Sequence, residues 1–198
     1  MDGDQFAADL SAAQAGDDAA FLRLWLQTHP VLLRFLAVRA PDVAEDVASE
    51  TWLAALPQLK DFEGTEGGFR GWLVTIARHK LVDVRRRSAR RPEVLGATPM
   101  TEEPRVPDAA ELAAERQATE DALRLIATLP TDVAEMVALR VVVGLDVGEV
   151  AAVVGKRPGT VRVAVHRGLR RLAATLAEQH ADAGVTLELA STIQGRHD

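Results

Sequence analysis

The sequence has no cysteine, no uninterrupted apolar run of about eighteen residues and no secretion signal. Without cysteine, disulfide bonds, thiolate metal sites and thiol catalysis are excluded. The apolar runs are too short to cross a membrane, so membrane insertion is not expected, and the opening residues MDGDQ lack the basic-then-apolar pattern of a leader. We therefore expect a soluble cytoplasmic protein, long enough at 198 residues for one or two compact domains.

Patterns that indicate metal binding or catalysis are also missing. The five histidines are scattered, with no HExxH and no pair at ligand spacing. We find no acid pair, no nucleophile–base set and no glycine-rich phosphate loop at a workable spacing, since GTEGG is too short for such a loop. We expect no metal and no cofactor, and an enzyme with helical domains is the weakest of the functional alternatives.

Positive charge is concentrated in two short segments of an otherwise acidic chain. The formal net charge is −6, yet Arg70–Arg91 holds eight Arg or Lys residues with a single acid, and Lys156–Arg171 holds six with none. An acidic chain with two basic segments is repelled from nucleic acid in general but can contact it at two places. Solvated arginine-rich helix ends are the alternative interpretation.

The chain divides near its middle into two helical halves. The segment PEVLGATPMTEEPRVPD holds four of the nine prolines, which indicates a linker. Both flanking halves have helical periodicity, so we predict an all-α fold of two small helical domains joined by a flexible, Pro-rich linker. The predicted divisions are a first domain at 1–91, the linker at 92–108, a second domain at 109–179, and a tail at 180–198 for which disorder is expected. The predicted helices are Asp4–Ala15, Asp17–Arg39, one from after Pro41 to Leu56 where Pro57 stops it, Phe69–Arg87, Ala109–Thr128, Thr131–Val142, Gly148–Val154 and Pro158–Gln179.

The predicted helix at Phe69–Arg87 has two distinct faces. One face is an apolar stripe that should pack inward, made of Phe69, Leu73, Ala77, Leu81 and Val84. The other side carries Trp72, Thr75, His79, Val82 and Arg86, flanked by Arg78 and Arg85. An aromatic ring for stacking and cations for phosphates suit an unpaired nucleic-acid strand. Alternatively, Trp72 is half-buried between two helices, which does not exclude a DNA role for the arginines.

The second basic segment has the pattern of a helix-turn-helix. A short helix with Val150, Ala151 and Val154 facing inward is followed by a turn at Gly155. The next helix opens at Pro158, a residue suited to the first turn because no backbone N–H is required there. On that helix we expect Val161, Val165 and Leu169 to face the core and the basic residues to face DNA. A helical hairpin used only for packing is the alternative, but it leaves the cations unexplained.

Four segments in this order resemble the bacterial RNA polymerase sigma factors of the extracytoplasmic-function (ECF) group, over roughly residues 6–177. They are AGDDAAFLRLW, DVAEDVASETWLAAL, FRGWLVTIARHKLVDVRRR and LPTDVAEMVALRVVVGLDVGEVAAVVGKRPGTVRVAVHRGLRRL. The resemblance implies a two-domain, all-helical factor that binds the clamp and flap regions of core RNA polymerase and promoter DNA. It also implies an anti-sigma factor as a further partner. The competing hypothesis is a stand-alone helix-turn-helix regulator, which would lack the acidic helix and the Trp-bearing basic helix.

The resemblance also assigns roles to individual residues. The residues implied to dock on the polymerase clamp are Asp42, Val43, Glu45, Asp46, Val47, Glu50 and Trp52. Those implied to hold the melted strand of the minus-ten element are Asp61, Phe62, Glu63, Gly64, Trp72, Arg78, His79, Arg85 and Arg86. Those implied to bind the minus-thirty-five element are Lys156, Arg157, Thr160, Arg162, Val163, His166, Arg167 and Arg170.

The sequence departs from the family pattern in a few places that bear on promoter choice. Ser49, His79 and Arg157 stand where family members usually carry Gln, Asn and a Ser-like cap, respectively. On the recognition helix, Val163 and Ala164 replace the commoner polar and basic residues. Because fewer side chains can then reach base edges, the promoter sequence does not follow from relatives.

Overall fold

Eight α-helices make up the structure, a computed structural model that describes residues 3–90 and 109–194, with side chains over 3–87 and 113–178. In chain order they are α1 (Gly3–Gln14), α2 (Asp18–Arg39), α3 (Ala44–Leu59), α4 (Glu66–Arg90), α5 (Ala109–Ala127), α6 (Thr131–Val141), α7 (Val147–Val154) and α8 (Pro158–Gln194), with a short 3-10 helix at Pro41–Val43. The prediction of an all-α fold is confirmed over these residues. The predicted linker at 92–108 lies outside them.

Helices α1 to α4 form the N-terminal half, packed around large apolar side chains. Asp17 begins α2 because its carboxylate accepts hydrogen bonds from the backbone N–H groups of Ala19 and Ala20, at 2.8 and 3.1 Å. The predicted apolar stripe of α4 is confirmed: Phe69, Leu73, Ala77 and Leu81 are buried, and Val84 is half-buried. This packing fixes which side of α4 remains exposed.

Helices α7 and α8 form the predicted helix-turn-helix of the C-terminal half. Asp146 and Glu149 make a capping box at the start of α7, in which each side chain accepts from the other residue's backbone N–H at 2.7 Å. Gly155 ends α7 in the left-handed conformation with φ 67°, where a side chain would be strained. Pro158 is the first residue of α8, as predicted.

One hydrophobic core runs through both halves, from Phe6 in α1 to Leu172 in α8. Helix α2 packs against α5 and α6, and α4 packs against α7. Gly71 of α4 lies beside Leu145 and Val153, each with a methyl carbon 3.7 Å from where a Cβ on Gly71 would be. The two halves therefore share an extensive interface in this structure.

Three local predictions are wrong. Helix α3 continues past Pro57 to Leu59, because Pro57 lies in the exposed last turn while buried Leu59 anchors the helix end. Helix α8 continues past its predicted end at Gln179 through Gln194, and the helix-forming Ala and Leu residues of that stretch are consistent with this. Leu169 does not face the core, being 42% exposed. Gly168 packs there instead.

Candidate DNA and polymerase interfaces

An aromatic pocket opens where the loop after α3 meets α4. It has a volume of about 440 Å³ and is lined by Gln58, Asp61, Phe62, Glu63 and Trp72. The rings of Phe62 and Trp72 lie with centroids 5.1 Å apart at an interplanar angle of 35°. An apolar floor bordered by two exposed carboxylates is suited to a planar, hydrogen-bonding guest such as a nucleobase.

The loop that carries this pocket is tied down from outside. Gln14 Nε2 donates to the carbonyl oxygens of Leu59 at 3.0 Å and Phe62 at 2.8 Å. A Cβ on Gly64 would lie 3.0 Å from the Phe62 ring, so the loop passes closely over that ring. Gln14 and Gly64 thus support the loop beside the pocket, and Gln58 lines the pocket itself. Of these three residues, only Gly64 was among the predicted site residues.

The predicted strand-binding residues of α4 separate into two surfaces. His79 and Arg86 are exposed and Trp72 is half-buried, on the side that borders the pocket. Arg85 is exposed and its Nη2 donates to the carbonyl oxygen of Arg39 at 2.8 Å. Arg78 turns toward the C-terminal half, where its Nε donates to Glu135 Oε1 at 2.9 Å. The sequence did not indicate this separation.

The recognition surface of α8 is open. Every residue predicted to bind the minus-thirty-five element is exposed, namely Lys156, Arg157, Thr160, Arg162, Val163, His166, Arg167 and Arg170. Lys156 Nζ lies 3.4 Å from Asp132 Oδ2, a contact at the surface. The opposite face of α8 packs through Val161 and Val165 against the core, so the cations are presented on a supported helix.

The predicted polymerase-docking residues around α3 divide by exposure. Asp42, Glu45 and Asp46 are exposed, and Val43 is half-buried. Val47 and Trp52 are buried, at 0% and 7% exposure, and cannot contact a partner while α3 stays packed. Their place in the core positions the acidic face of α3.

Two features of α3 change which residues can dock. Glu50 pairs with α4, its Oε2 lying 3.2 Å from Arg87 Nη2 and 4.0 Å from Lys80 Nζ. Leu53 and Leu56, which were not predicted as site residues, are 70% and 44% exposed on the same helix. The one indication of their exposure in the sequence was that neither leucine falls on the side of α3 that carries the buried residues.

His29 of α2 lies between two tryptophans, Trp25 of α2 and Trp52 of α3. Trp52 Nε1 donates to His29 Nδ1 at 3.2 Å, and the His29 ring stacks on Trp25 with centroids 4.3 Å apart. Burial lowers the pKa of His29 below its ordinary value of 6.5, and the nearby carboxylate of Glu45 opposes this effect. The neutral imidazole is therefore the form that accepts from Trp52.

Among the residues that the structure describes, no group of three or more metal-ligating side chains is close enough to hold a metal ion. Over the same residues, no helix is both long and apolar enough to span a membrane. The surfaces described above consist of stacking rings, cations and an acidic helix face. Such groups bind macromolecules by contact and charge.

Comparison with protein families assigns both halves. Residues 20–91 match the model of Sigma-70 region 2, and residues 119–172 match that of Sigma-70, region 4. A chain with these two regions in this order is a transcription initiation factor of the sigma-70 type. Region 2 contains the aromatic pocket and α3, and region 4 contains the helix-turn-helix.

Curated relatives narrow this class. The chain is 38% identical over 179 residues to the ECF RNA polymerase sigma factor ShbA of Streptomyces griseus, covering 84% of this chain and 92% of that protein. It is 34% identical over 179 residues to the ECF RNA polymerase sigma factor SigD of Mycobacterium tuberculosis, covering 87% and 84%. The chain belongs to the ECF RNA polymerase sigma factors, a non-enzymatic family whose members bind core RNA polymerase and direct it to promoters.

Solved structures agree on the fold. The structure of CnrH in complex with the cytosolic domain of CnrY matches with a TM-score of 0.58 at 23% identity, covering 89% of this chain and 99% of that one. The sigma factor RpoE in complex with the anti-sigma factor NepR from Bartonella quintana matches with a TM-score of 0.57 at 24% identity, covering 79% and 96%.

Proposed function

We propose that this sigma factor uses three separate surfaces to start transcription. The exposed face of α3 docks on the clamp of core RNA polymerase, the aromatic pocket and α4 hold the melted minus-ten strand, and α8 reads the minus-thirty-five element. The observation that carries this proposal is the pocket itself, in which Phe62 and Trp72 form an apolar floor next to the cationic side of α4. Stacking of a captured base contributes about 1–3 kcal/mol, which favours the melted promoter.

Docking on polymerase should combine charge with apolar contact. Asp42, Glu45 and Asp46 supply negative charge, and Leu53 and Leu56 supply exposed apolar area. Glu50 is a weaker candidate because Arg87 and Lys80 already neutralise it. Interface centres are typically apolar with a charged rim, so we place Leu53 at the centre and the acids around it.

The same proposal includes the compartment in which the protein acts and a further protein partner. Because core RNA polymerase is cytoplasmic, the protein acts in the cytoplasm, and it performs no covalent chemistry itself. The two structural neighbours named above are bound to CnrY and to the anti-sigma factor NepR. An anti-sigma factor of this chain is accordingly a further proposed partner, one that would cover the docking or DNA surfaces.

Reconstitution with core RNA polymerase tests the proposal. The intact chain should be retained by immobilised core and should start transcripts at discrete sites on genomic DNA, which core alone does not. The double variant Asp46→Arg/Leu53→Ser should lose at least about tenfold in affinity for core, since it reverses one charge and removes the apolar centre. Glu115→Arg, a charge reversal on the exposed surface of α5, is the matched control and should bind normally.

Retention of the double variant at the control's level would reject the α3 surface as the docking site. Discrete transcript starts from core alone, or none with the intact chain, would reject the promoter-directing role as reconstituted.

A further inference from the structure

Hydrogen-bond acceptors dominate the rim of the aromatic pocket. Asp61 and Glu63 line it and are both exposed. Among the residues that the structure describes, neither carboxylate takes part in an ion pair or a side-chain hydrogen bond. Because an ionised carboxylate accepts hydrogen bonds and cannot donate them, the rim is open to a guest that presents donors.

Donors beside the pocket are fewer, and most of them are already engaged. Of the side chains that line it, only Gln58 and Trp72 carry N–H groups, and Gln58 Nε2 donates to the carbonyl oxygen of Ala54 at 2.8 Å. The backbone N–H groups of Asp61 and Phe62 close the turn after α3, at 3.2 and 3.1 Å from their carbonyl acceptors. The pocket therefore offers a guest many acceptors and few donors.

The four DNA bases differ in what their pairing edges donate. Guanine presents two adjacent donor groups, its ring N1–H and its N2 amino group, which suit the two oxygens of one carboxylate. Adenine and cytosine each present one amino group beside acceptors. Thymine has a single N–H between two carbonyl oxygens, which a carboxylate repels. Since an unstacked base is read by hydrogen bonds to this edge, guanine is the best match to the rim and thymine the worst.

Charge also determines how a captured nucleotide lies. The loop acids Asp61 and Glu63 repel phosphates, whereas Arg86 is an exposed cation on the side of α4 that borders the pocket. The sugar–phosphate backbone should then follow α4, with the pairing edge of the base turned toward the loop. Phe62 and Trp72 meet the face of the base, a contact that every base can make.

We propose that the aromatic pocket selects guanine at the captured position of the melted strand, with Asp61 and Glu63 as the specificity-determining residues. Their carboxylates accept from the N1–H and amino groups of guanine and exclude thymine. This inference rests on the proposed role of the pocket in strand capture, and it adds the identity of the base. Stacking supplies affinity without choice, and the two acids supply the choice.

A selection experiment tests this without knowledge of the promoter. The tagged chain, mixed with core RNA polymerase, is incubated with single-stranded oligonucleotides that carry a randomised segment, and the retained strands are sequenced. The selected motif should contain a position at which guanine exceeds thymine by at least about fivefold, the lower end for a good bidentate base contact. Asp61→Asn/Glu63→Gln, which replaces both carboxylates with amides that also donate, should abolish the preference at that position and leave the other positions unchanged.

Asp83→Asn is the matched control, because it removes an exposed acid of α4 that does not line the pocket. It should select the same motif as the wild type. Unchanged preferences in the double variant at every position would overturn the proposal, as would a preference for another base at the position that the double variant alters.

Base analogues test the contact itself in a fluorescein-labelled oligonucleotide of the selected sequence. Hypoxanthine in place of the selected guanine lacks only the N2 amino group, and it should weaken binding by about three- to tenfold, the effect of one lost hydrogen bond. The analogue 7-deazaguanine keeps the whole pairing edge and should bind like guanine. The double variant should not distinguish guanine from hypoxanthine. Equal affinity of the wild type for guanine and hypoxanthine, measured by anisotropy, would refute the contact.

These readouts do not depend on transcript initiation, so they separate the two proposals. If the chain directed core RNA polymerase to discrete start sites while the double variant kept the wild-type preferences, the base selection would fail and the proposed function would stand. If guanine were selected through the two acids but no discrete starts appeared, the function would fail and the selection would stand.

Discussion

At the scale of single residues, His29 makes the stability of the packing between α2 and α3 depend on pH. Its neutral ring accepts from Trp52 and stacks on Trp25, and burial lowers its pKa. A histidine whose pKa is lowered by folding is held in its neutral form in the folded protein. As the pH falls below 6.5, the unfolded chain therefore takes up more protons than the folded one. The contribution of His29 to stability is fully present above the ordinary value of 6.5 and is lost as the pH falls through the folded-state pKa.

We expect the free energy of unfolding to decrease less between pH 7.5 and 5.5 in His29→Gln than in the wild type, because glutamine accepts a hydrogen bond without titrating. Urea unfolding at the two pH values measures this difference. His79→Gln, on the exposed side of α4, is the control and should follow the wild type. An identical pH dependence in all three proteins would show that His29 does not contribute.

Phe62 offers a second test at residue scale, directed at the aromatic pocket. Phe62→Leu keeps an apolar side chain but removes the ring that lies beside Trp72. Transcription from a duplex promoter should fall about tenfold, because lost stacking of about 1–3 kcal/mol weakens capture of the melted base. Lys60→Ala, in the exposed part of the same loop, should be near wild type.

A template with a mismatched, already open minus-ten region gives the diagnostic comparison for Phe62→Leu. Melting costs nothing there, so the deficit should shrink. A deficit of the same size on both templates would indicate damage to the loop or to polymerase docking.

At the scale of helices, the contact between α6 and α8 depends on a residue with no side chain. A Cβ on Gly168 would lie 2.8 Å from Val137 Cγ2 and 2.9 Å from Val133 Cγ1. Gly168→Ala should therefore destabilise the protein by about 1–3 kcal/mol, despite the higher helix propensity of alanine. Gly159→Ala in the same helix has nothing within 4 Å and should be neutral or stabilising. Thermal unfolding monitored by circular dichroism distinguishes them, and equal effects would refute the close packing.

The helices also show where sequence inference succeeds and where it stops. The stripe of α4 was predictable because large apolar residues recur every three or four positions and become buried together. On α8 the same argument selected Leu169, whereas the helix turns Gly168 toward α6. Because a glycine does not count as an apolar residue in the periodicity, the pattern of the sequence does not show that two helices approach closely at Gly168. Helix α3 could be predicted as the acidic surface, but not the pairing of Glu50 with α4, which depends on tertiary geometry.

At the scale of the whole molecule, the distribution of charge should limit DNA binding. The formal net charge is −6, while the exposed cations of α8 form a local basic surface. We expect binding of the unbound protein to random-sequence duplex DNA at physiological salt to be weaker than the usual non-specific range of roughly 10⁻⁴–10⁻⁶ M. Asp4→Lys/Glu115→Lys, which adds positive charge at two exposed acids on α1 and α5, should strengthen it.

Anisotropy titrations across a salt series measure this effect. Tight duplex binding by the wild type, or no change in the double variant, would show that overall charge does not restrain binding.

The division into two helical halves followed from composition and periodicity, but their association did not. The ion pair of Glu135 with Arg78 joins residues 57 positions apart in the sequence. The other arginines donate to backbone carbonyl oxygens, acceptors that every residue carries and that mark no position in a sequence. Site residues on helix surfaces could be proposed from residue type, whereas those that meet across the interface required the fold.

The aromatic packing of the N-terminal half has an optical consequence. All three tryptophans, Trp25, Trp52 and Trp72, lie in that half, so fluorescence excited at long wavelength comes from there alone. Trp25 and Trp52 lie against His29, so their contribution to the emission depends on the packing around that histidine. Trp72 lines the aromatic pocket. An unlabelled base that enters the pocket therefore changes the emission directly. Tryptophan fluorescence of the unmodified chain therefore reports strand capture directly. DNA binding at the recognition helix, which has no tryptophan, does not change this signal directly.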